Sequence, residues 1–182
     1  RQRLGIESEY DPQVFGRGIN FFHPENWYSV HAFIGFALRL SGLYWRGRRN
    51  TLNIQVRENE VAVPSLPPAF DGFRILHLSD LHTDMYPPAT EALARIAAGL
   101  DFDICVMTGD YRAKTYGRFE TAIDELAKVC RGISAPIYGV LGNHDSIRML
   151  PGLEALGIRM LLNEHVELRR GDQAICLAGI DD

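Results

Sequence analysis

The chain of 182 residues is long enough to bury one hydrophobic core, and 46% hydrophobic with 23% charged residues is typical of a globular protein. This composition excludes an intrinsically disordered chain and a protein with several membrane spans. Residues 1–57 hold 8 Lys/Arg against 4 Asp/Glu, whereas residues 58–182 hold 11 against 19. An acidic second part suits a cation-binding site, and an ordinary acidic surface explains it equally well.

The N-terminal part, residues 1–63, is predicted to be an extension outside the main domain. Glycines and a proline interrupt its first 23 residues and indicate an irregular arm. An amphipathic helix is predicted from Pro24 to about Gly42, because a proline in the first turn is typical of a helix start. Its apolar residues recur at spacings of three and four, as on one face of a helix.

Three interpretations of this helix remain open. Aromatic pairs flank it and three arginines follow it, as in helices that lie in a membrane interface, so residues 24–49 are a candidate for membrane-surface contact. Packing against the rest of the chain explains the same amphipathic pattern. A spanning helix is disfavoured, because Arg39 would cost roughly 2.5–3.5 kcal/mol near the bilayer centre.

A β-hairpin is predicted for residues 52–63, because apolar and polar residues alternate on both sides of a Glu58-Asn59-Glu60 turn. Residues 64–72 are rich in proline and are predicted to form a stiff linker. We therefore place the domain boundary in that segment and begin the main domain at residue 73.

From residue 73 onward, strands and helices alternate, which predicts an α/β fold whose βαβ units form a parallel sheet with flanking helices. The predicted strands are 73–79, 103–108, 136–141, 158–162, 165–169 and 174–179. The predicted helices are 88–99, 117–131 and 150–156. The turn Arg170-Gly171-Asp172 is predicted to join the last two strands.

Three of these strands end in residues suited to metal binding. Asp80 and His82 follow the first strand, Gly109-Asp110 follows the second, and Gly142-Asn143-His144-Asp145 follows the third. Because the carboxyl ends of parallel strands meet at one edge of a sheet, we expect these side chains to gather there. The glycines permit close approach of the backbone. His77, inside the first strand, is predicted to be a packed residue and not a ligand.

In order and spacing, these three motifs resemble the first three signature motifs of the calcineurin-like metallophosphoesterases. The resemblance covers residues 73–182 and extends to the bacterial membrane-associated branch of that superfamily, since the ending 177–182 resembles a strand of that branch. It implies a two-sheet α/β/β/α sandwich. It also implies that the catalytic domain is truncated at its C-terminus, because the remaining metal-binding histidines of the family are absent here.

By this resemblance, the site holds two divalent cations. Asp80 and His82 would bind the first, Asn143 would bind the second, and Asp110 would bridge the two. A mixed set of carboxylate, imidazole and amide ligands suits Mn, Fe or Zn better than Mg or Ca. His144 would be catalytic, donating a proton to the leaving group or stabilising its charge.

The function implied by the resemblance is metal-dependent hydrolysis of a phosphoester, either a phosphodiester or a pyrophosphate, in a small-molecule or lipid-linked substrate. A nuclease of the same superfamily is one alternative, and it is disfavoured because residues 58–182 are acidic. Nucleic acid is therefore not an expected partner. A non-catalytic interaction module that retains the fold is the other alternative, and the intact motif residues argue against it.

The three cysteines include no Cys-x-x-Cys pair, and no charged-then-apolar leader is visible at the start of the sequence. These features predict a cytoplasmic protein. If the helix binds a membrane, the protein would lie at its inner face. The sequence, which begins with Arg1, is expected to be a fragment of a longer protein.

Four further residues lie in or next to the motifs. Ala113 stands where some family members carry a carboxylate that orients the catalytic histidine, so the partner of His144 is unassigned. Arg112 and Lys114 are predicted to be solvated surface cations, with phosphate contact as the alternative. Asp145 is predicted to cap the following helix, with orientation of His144 as the alternative.

Overall fold

The computed structural model describes residues 28–180. The predicted irregular arm and the predicted helix start at Pro24 lie outside the described residues. The chain divides into two compact units, Arg1–Gln55 and Val56–Asp182. Each unit has its own elements and is described by itself.

The described part of the first unit consists of two helices, α1 (Tyr28–Leu40) and α2 (Leu43–Leu52). Gly42 separates them, and its φ of 72° lies in the left-handed region that favours glycine at the end of a helix. No residue of α2 is buried. Within residues 28–180, none of the helices has the length and apolar character that crossing a membrane requires.

The predicted β-hairpin at residues 52–63 is wrong. Residues 43–52 form α2, and residues 53–63 contain no strand. Two strands alone are marginally stable in water unless an apolar face packs against another surface. Val61 and Val63, on the predicted return strand, are exposed, so the alternating pattern has no surface on which to pack.

A four-stranded parallel sheet forms the centre of the second unit, which confirms the predicted α/β fold. Its strands follow one another in chain order across the sheet: β1 (Ile75–Leu78), β2 (Ile104–Met107), β3 (Ile137–Gly139) and β4 (Ile158–Met160). The helices that alternate with them are α3 (Pro87–Ala97), α4 (Glu120–Arg131) and α5 (Leu150–Ala155).

The core lies on one face of this sheet. Because the strand order follows the chain, right-handed crossovers place successive helices on the same face. Met107 and Ile158 of the sheet are buried there with Leu126 of α4 and Leu153 of α5. The packing of these helices therefore leaves the other face of the sheet more open.

His77 lies on that other face and is exposed. Its Nε2 lies 2.9 Å from the hydroxyl of Thr108. The prediction that His77 is packed is therefore wrong. Side chains along a strand alternate between the two faces, and the apolar composition of β1 does not tell which face the helices cover.

The predicted final strands are confirmed as an antiparallel hairpin, β5 (Glu164–Arg170) and β6 (Gln173–Gly179). The residues on either side of its turn contact the segments before β1 and β2. Arg170 forms an ion pair with Asp103, and its guanidinium lies 4.8 Å from the ring centre of Phe73. The side-chain carbonyl of Gln173 accepts the backbone N–H of Ala69 at 2.7 Å.

Residues 64–72, predicted as a linker, include a short 3-10 helix, Pro68–Phe70. Phe70 is fully buried, and its ring centre lies 5.3 Å from that of Phe73. This segment therefore packs as part of the second unit.

Candidate metal centre

The loops after β1 and β2 run side by side beyond the end of the sheet. The backbone N–H of Asp80 donates to the carbonyl of Gly109 at 3.2 Å, and that of His82 donates to the carbonyl of Asp110 at 3.0 Å. These bonds continue the pairing of the two strands. They carry Asp80, His82 and Asp110 to the same edge of the sheet, where the sequence predicts the site.

The backbone is strained at each of these three residues. Asp80, His82 and Asp110 have φ angles of 52°, 39° and 56°. Positive φ in a residue other than glycine costs of order 1–3 kcal/mol and is maintained by surrounding structure. Among residues 28–180, Asn163 is the one further non-glycine residue with positive φ. Strain concentrated on three neighbouring residues with ligand side chains is typical of a functional site.

The side chains of Asp80, His82 and Asp110 each offer a ligand atom, and these atoms all lie within 4.8 Å of one another. His82 donates from Nδ1 to the carbonyl of Arg112 at 2.8 Å. A carbonyl oxygen only accepts, so Nε2 of the neutral ring is left as the ligand nitrogen. Two carboxylates and an imidazole held in this way fit a divalent transition metal such as Mn, Fe or Zn.

The loop after β3 closes against the loop after β2. The backbone N–H of His144 donates to Oδ1 of Asp110 at 2.9 Å. A Cβ on Gly109 would lie 2.2 Å from the nitrogen of Gly142, and a Cβ on Gly142 would lie 2.3 Å from Oδ1 of Asp110. Glycine is therefore required at both positions, because any side chain would force the two loops apart.

Asp145 joins these two loops. Its carboxylate, 6% exposed, accepts the backbone N–H groups of Asp110 at 2.7 Å, Tyr111 at 2.9 Å and Gly142 at 3.0 Å. Burial raises the pKa of Asp145, and these hydrogen bonds oppose the increase.

The prediction that Asp145 caps a helix is wrong. The following 3-10 helix, Ile147–Met149, is capped by Ser146, whose hydroxyl accepts the backbone N–H of Arg148. Asp145 instead satisfies N–H groups that the ends of the strands leave without ladder partners.

His144 lies beside the cluster of Asp80, His82 and Asp110, with its ring centre 5.0 Å from that of His82. Its Nδ1 donates to the backbone carbonyl of Ala113 at 2.8 Å. The partner that the sequence left unassigned is therefore a main-chain oxygen. As in His82, this bond places the proton of the neutral ring on Nδ1 and leaves Nε2 unprotonated.

Arg112 is 4% exposed, so the prediction of a solvated surface cation is wrong. Its Nε donates to the carbonyl of His144 at 2.6 Å, and its terminal nitrogens donate to the carbonyls of Thr115 at 2.9 Å and Gly117 at 3.2 Å. The irregular segment 111–119 has no ladder to satisfy its carbonyls, and a guanidinium offers five N–H donors. Lys114, by contrast, is exposed.

Asn143 is exposed on the loop after β3, between Gly142 and His144. It therefore lies at the same edge of the sheet as the cluster. Its assignment as a ligand of a second cation stays a prediction, as do the individual roles of the other site residues.

Residues 73–175 match the family model for calcineurin-like phosphoesterases, which is more than half of the chain. The "Uncharacterized metallophosphoesterase YkoQ" of Bacillus subtilis (strain 168) is 29% identical over 147 residues, covering 76% of this chain and 54% of the relative.

Two proteins called "Transmembrane protein with metallophosphoesterase domain" are also similar. The one from Danio rerio is 29% identical over 138 residues, covering 70% of this chain and 31% of the relative. The one from Bos taurus is 31% identical over 136 residues, covering 68% of this chain and 30% of the relative. The matched part of the chain thus spans about half of the bacterial relative and about a third of the other two. No solved structure matches the chain significantly.

Proposed function

This chain belongs to the calcineurin-like phosphoesterase family, and from that premise we propose that it hydrolyses a phosphoester with two divalent cations. Asp80 and His82 would hold the first cation, Asn143 would hold the second, and Asp110 would be shared between them. His144 protonates the leaving oxygen or stabilises its charge. The observation that carries the proposal is the cluster of Asp80, His82 and Asp110, whose ligand atoms lie within 4.8 Å of one another on a strained backbone.

The hydrogen bonds around the cluster support these roles. When bound, a pair of cations supplies a nucleophile at neutral pH and positive charge against the phosphoryl oxygens. The protein holds the ligands in place. Asp110 uses Oδ1 to accept the N–H of His144 and has a second carboxylate oxygen for ligation. His82 and His144 both donate from Nδ1, so Nε2 of His82 serves as a ligand, and Nε2 of His144 is the nitrogen that takes up a second proton and, from the doubly protonated ring, passes it to the leaving group.

The substrate in this proposal is a phosphodiester or a pyrophosphate, either a small molecule or linked to a lipid. A nuclease is the weaker candidate, because a nucleic-acid groove needs clustered cations and residues 58–182 hold 19 acidic against 11 basic residues. A non-catalytic module is weaker still. A module that had lost its metals would have no need for three ligand side chains gathered on a strained backbone.

The first unit supports the lipid-linked form of this proposal. Residues 28–52 contain four arginines and no acidic residue. Large apolar side chains of α1 and α2 are exposed beside these cations, namely Phe33, Phe36, Leu40 and Trp45. Such a surface complements anionic headgroups and accepts their acyl boundary. We therefore propose that this unit holds the protein at the inner face of the cytoplasmic membrane.

A comparison of three proteins tests the catalytic proposal: the natural protein, Asp80→Asn, and Asp101→Asn as a control. Asp101 is an acidic residue of the same unit, with its side chain 93% exposed and paired with Arg74, whose side chain is also exposed. We expect turnover of bis(p-nitrophenyl) phosphate that needs added Mn, stops with a chelator, and is lost in the Asp80 variant alone. If the natural protein binds no metal and turns over no diester, the chain is an interaction module. Single-stranded DNA as a second substrate tests the nuclease.

A further inference from the structure

Two consecutive main-chain carbonyls orient both imidazoles of the site. The carbonyl of Arg112 accepts Nδ1–H of His82 at 2.8 Å, and the carbonyl of Ala113 accepts Nδ1–H of His144 at 2.8 Å. Both carbonyls belong to the irregular segment 111–119, which has neither helix nor strand hydrogen bonds to keep its shape. The tautomer and direction of both rings therefore depend on what holds this segment in place.

The Arg112 side chain connects this segment to His144, whose ring the segment orients. Its terminal nitrogens donate to the carbonyls of Thr115 and Gly117, within the segment, at 2.9 and 3.2 Å. Its Nε donates at 2.6 Å to the carbonyl of His144, on the loop after β3. One rigid guanidinium thus connects the segment that contains Ala113, the acceptor of the His144 ring, to the main chain of His144.

These hydrogen bonds of the Arg112 side chain are buried. The Arg112 residue is 4% exposed, so its hydrogen bonds are shielded from water and leave little room for rearrangement. The His144 peptide is held on its other side as well, because its N–H donates to Asp110 at 2.9 Å. With both the N–H and the carbonyl held, the remaining freedom of His144 is rotation of its ring, and the carbonyl of Ala113 limits that rotation.

We propose that Arg112 is a positioning residue for His144. By holding the carbonyl of His144 and the segment of Ala113 at a constant separation, it keeps the bond from Nδ1 to Ala113 formed and presents Nε2 to the leaving oxygen. In this chain the acceptor of the His144 ring is a main-chain carbonyl, in a segment that the guanidinium ties to the carbonyl of His144. The inference rests on the proposed proton donation by His144.

Arginine suits this role and lysine does not. The planar guanidinium directs its N–H groups at three carbonyls in different directions, whereas an ammonium group on a flexible stem reaches one or two of them. Arg112→Lys therefore keeps the charge and loses the fixed geometry, and Arg112→Gln loses both. Neither change removes the main-chain carbonyl of Arg112. The N–H of the same peptide unit, that of Ala113, donates to Asp84 at 2.8 Å, so the acceptor of His82 stays in place.

The first test measures the tautomer of His144 in the metal-free protein. Long-range 1H–15N NMR spectra, recorded where imidazoles are neutral and assigned with His144→Gln, distinguish Nδ1–H from Nε2–H rings. We expect a single Nδ1–H form in the natural protein and in Arg118→Gln. Arg118 is the matched control, because it lies on the same segment with its side chain 88% exposed. Arg112→Lys and Arg112→Gln should show a mixture that includes the Nε2–H form.

The second test measures turnover of diesters whose leaving groups differ in acidity. Arg112→Gln should slow the ester with the poorest leaving group by about tenfold or more and the nitrophenyl ester far less, because proton donation matters most for poor leaving groups. Its affinity for Mn, measured by calorimetry, should stay within about threefold of the natural protein, since the ligands are unchanged. In a His144→Ala background, Arg112→Gln should add no further dependence on the leaving group.

An Nδ1–H ring in both Arg112 variants overturns the inference, and so does an equal loss of rate for all leaving groups. Arg112→Lys serves in both tests if Arg112→Gln does not fold. Should the natural protein show no turnover with any divalent metal, the proposed function fails, and the tautomer of the metal-free protein still decides the role of Arg112.

Discussion

Oδ1 of Asp110 accepts the backbone N–H of His144 at 2.9 Å, so the proposed bridging ligand and the proposed proton donor are joined by a direct hydrogen bond. The bond crosses from the loop after β2 to the loop after β3. It means that the position of the carboxylate and the position of the imidazole are set together. The effect of a substitution at either residue should therefore be measured on both metal binding and proton transfer.

Asp110→Asn should weaken metal binding without unfolding the protein. The amide oxygen can still accept the N–H of His144, whereas the negative charge that attracts the cations is lost. We expect the affinity for Mn to fall by about tenfold or more, which is about 1.4 kcal/mol. Calorimetric titration of the metal-free protein measures it, and a melt followed by circular dichroism controls for folding. Unchanged affinity would remove Asp110 from the ligand set.

His144→Ala should keep the metal and slow the reaction. None of the side chains in the cluster of Asp80, His82 and Asp110 is altered, so the affinity for Mn should be close to that of the natural protein. Loss of a general acid should reduce turnover by about a hundredfold for an ester with a poor leaving group, and by less for a nitrophenyl ester. Loss of metal in this variant would instead identify His144 as a ligand.

Gly142→Ala should disturb the site through its backbone. The new Cβ would lie 2.3 Å from Oδ1 and 2.7 Å from the nitrogen of Asp110, so the carboxylate has to move. We expect a loss of about 1–3 kcal/mol in the free energy of unfolding, together with weaker Mn binding. Gly99→Ala is the control, because its Cβ would meet only ordinary contacts beyond 3.4 Å. Equal stability of the two variants would mean that the loops are less closely packed than described.

Arg170→Gln should destabilise the second unit more than Arg169→Gln does. Arg170 pairs with Asp103 and stacks on Phe73, and its side chain is 35% exposed. A half-buried cation–π contact contributes about 1–2 kcal/mol. Arg169, next to it on β5, pairs with Glu167 in the open, where such a pair contributes less than about 1 kcal/mol. Urea unfolding followed by circular dichroism compares them, and a larger loss for Arg169→Gln would contradict the contacts of the hairpin turn.

Replacing Arg46, Arg48 and Arg49 together by Gln should strongly weaken binding to anionic vesicles. Each arginine near such a surface contributes about 1 kcal/mol, so the triple variant should bind roughly a hundredfold more weakly. A matched variant removes three exposed arginines of the second unit, namely Arg95, Arg131 and Arg159. Cosedimentation with phosphatidylglycerol vesicles, with neutral vesicles as a blank, measures the difference. Equal sedimentation of both variants would favour packing of the first unit over membrane contact.

Local patterns predicted the second unit well. The apolar run at 104–107 is a strand because buried β-branched and long apolar residues suit a covered sheet, and the helices between successive strands require parallel pairing. The same logic failed at Leu52, Ile54 and Val56. There the period-two pattern is short, and nothing in the sequence tells whether an apolar face has a partner on which to pack.

By itself, the sequence determined the α/β class and the delivery of Asp80, His82, Asp110, Asn143 and His144 to one edge of the sheet, because parallel strands in chain order present their carboxyl ends together. Only the tertiary structure decided what holds those residues. The carbonyls of Arg112 and Ala113 orient the two imidazoles, and any residue type supplies a carbonyl, so no sequence pattern marks them. The buried contacts of Arg112 and Asp145 likewise join loops from different strands, and their partners become neighbours only when the sheet has formed.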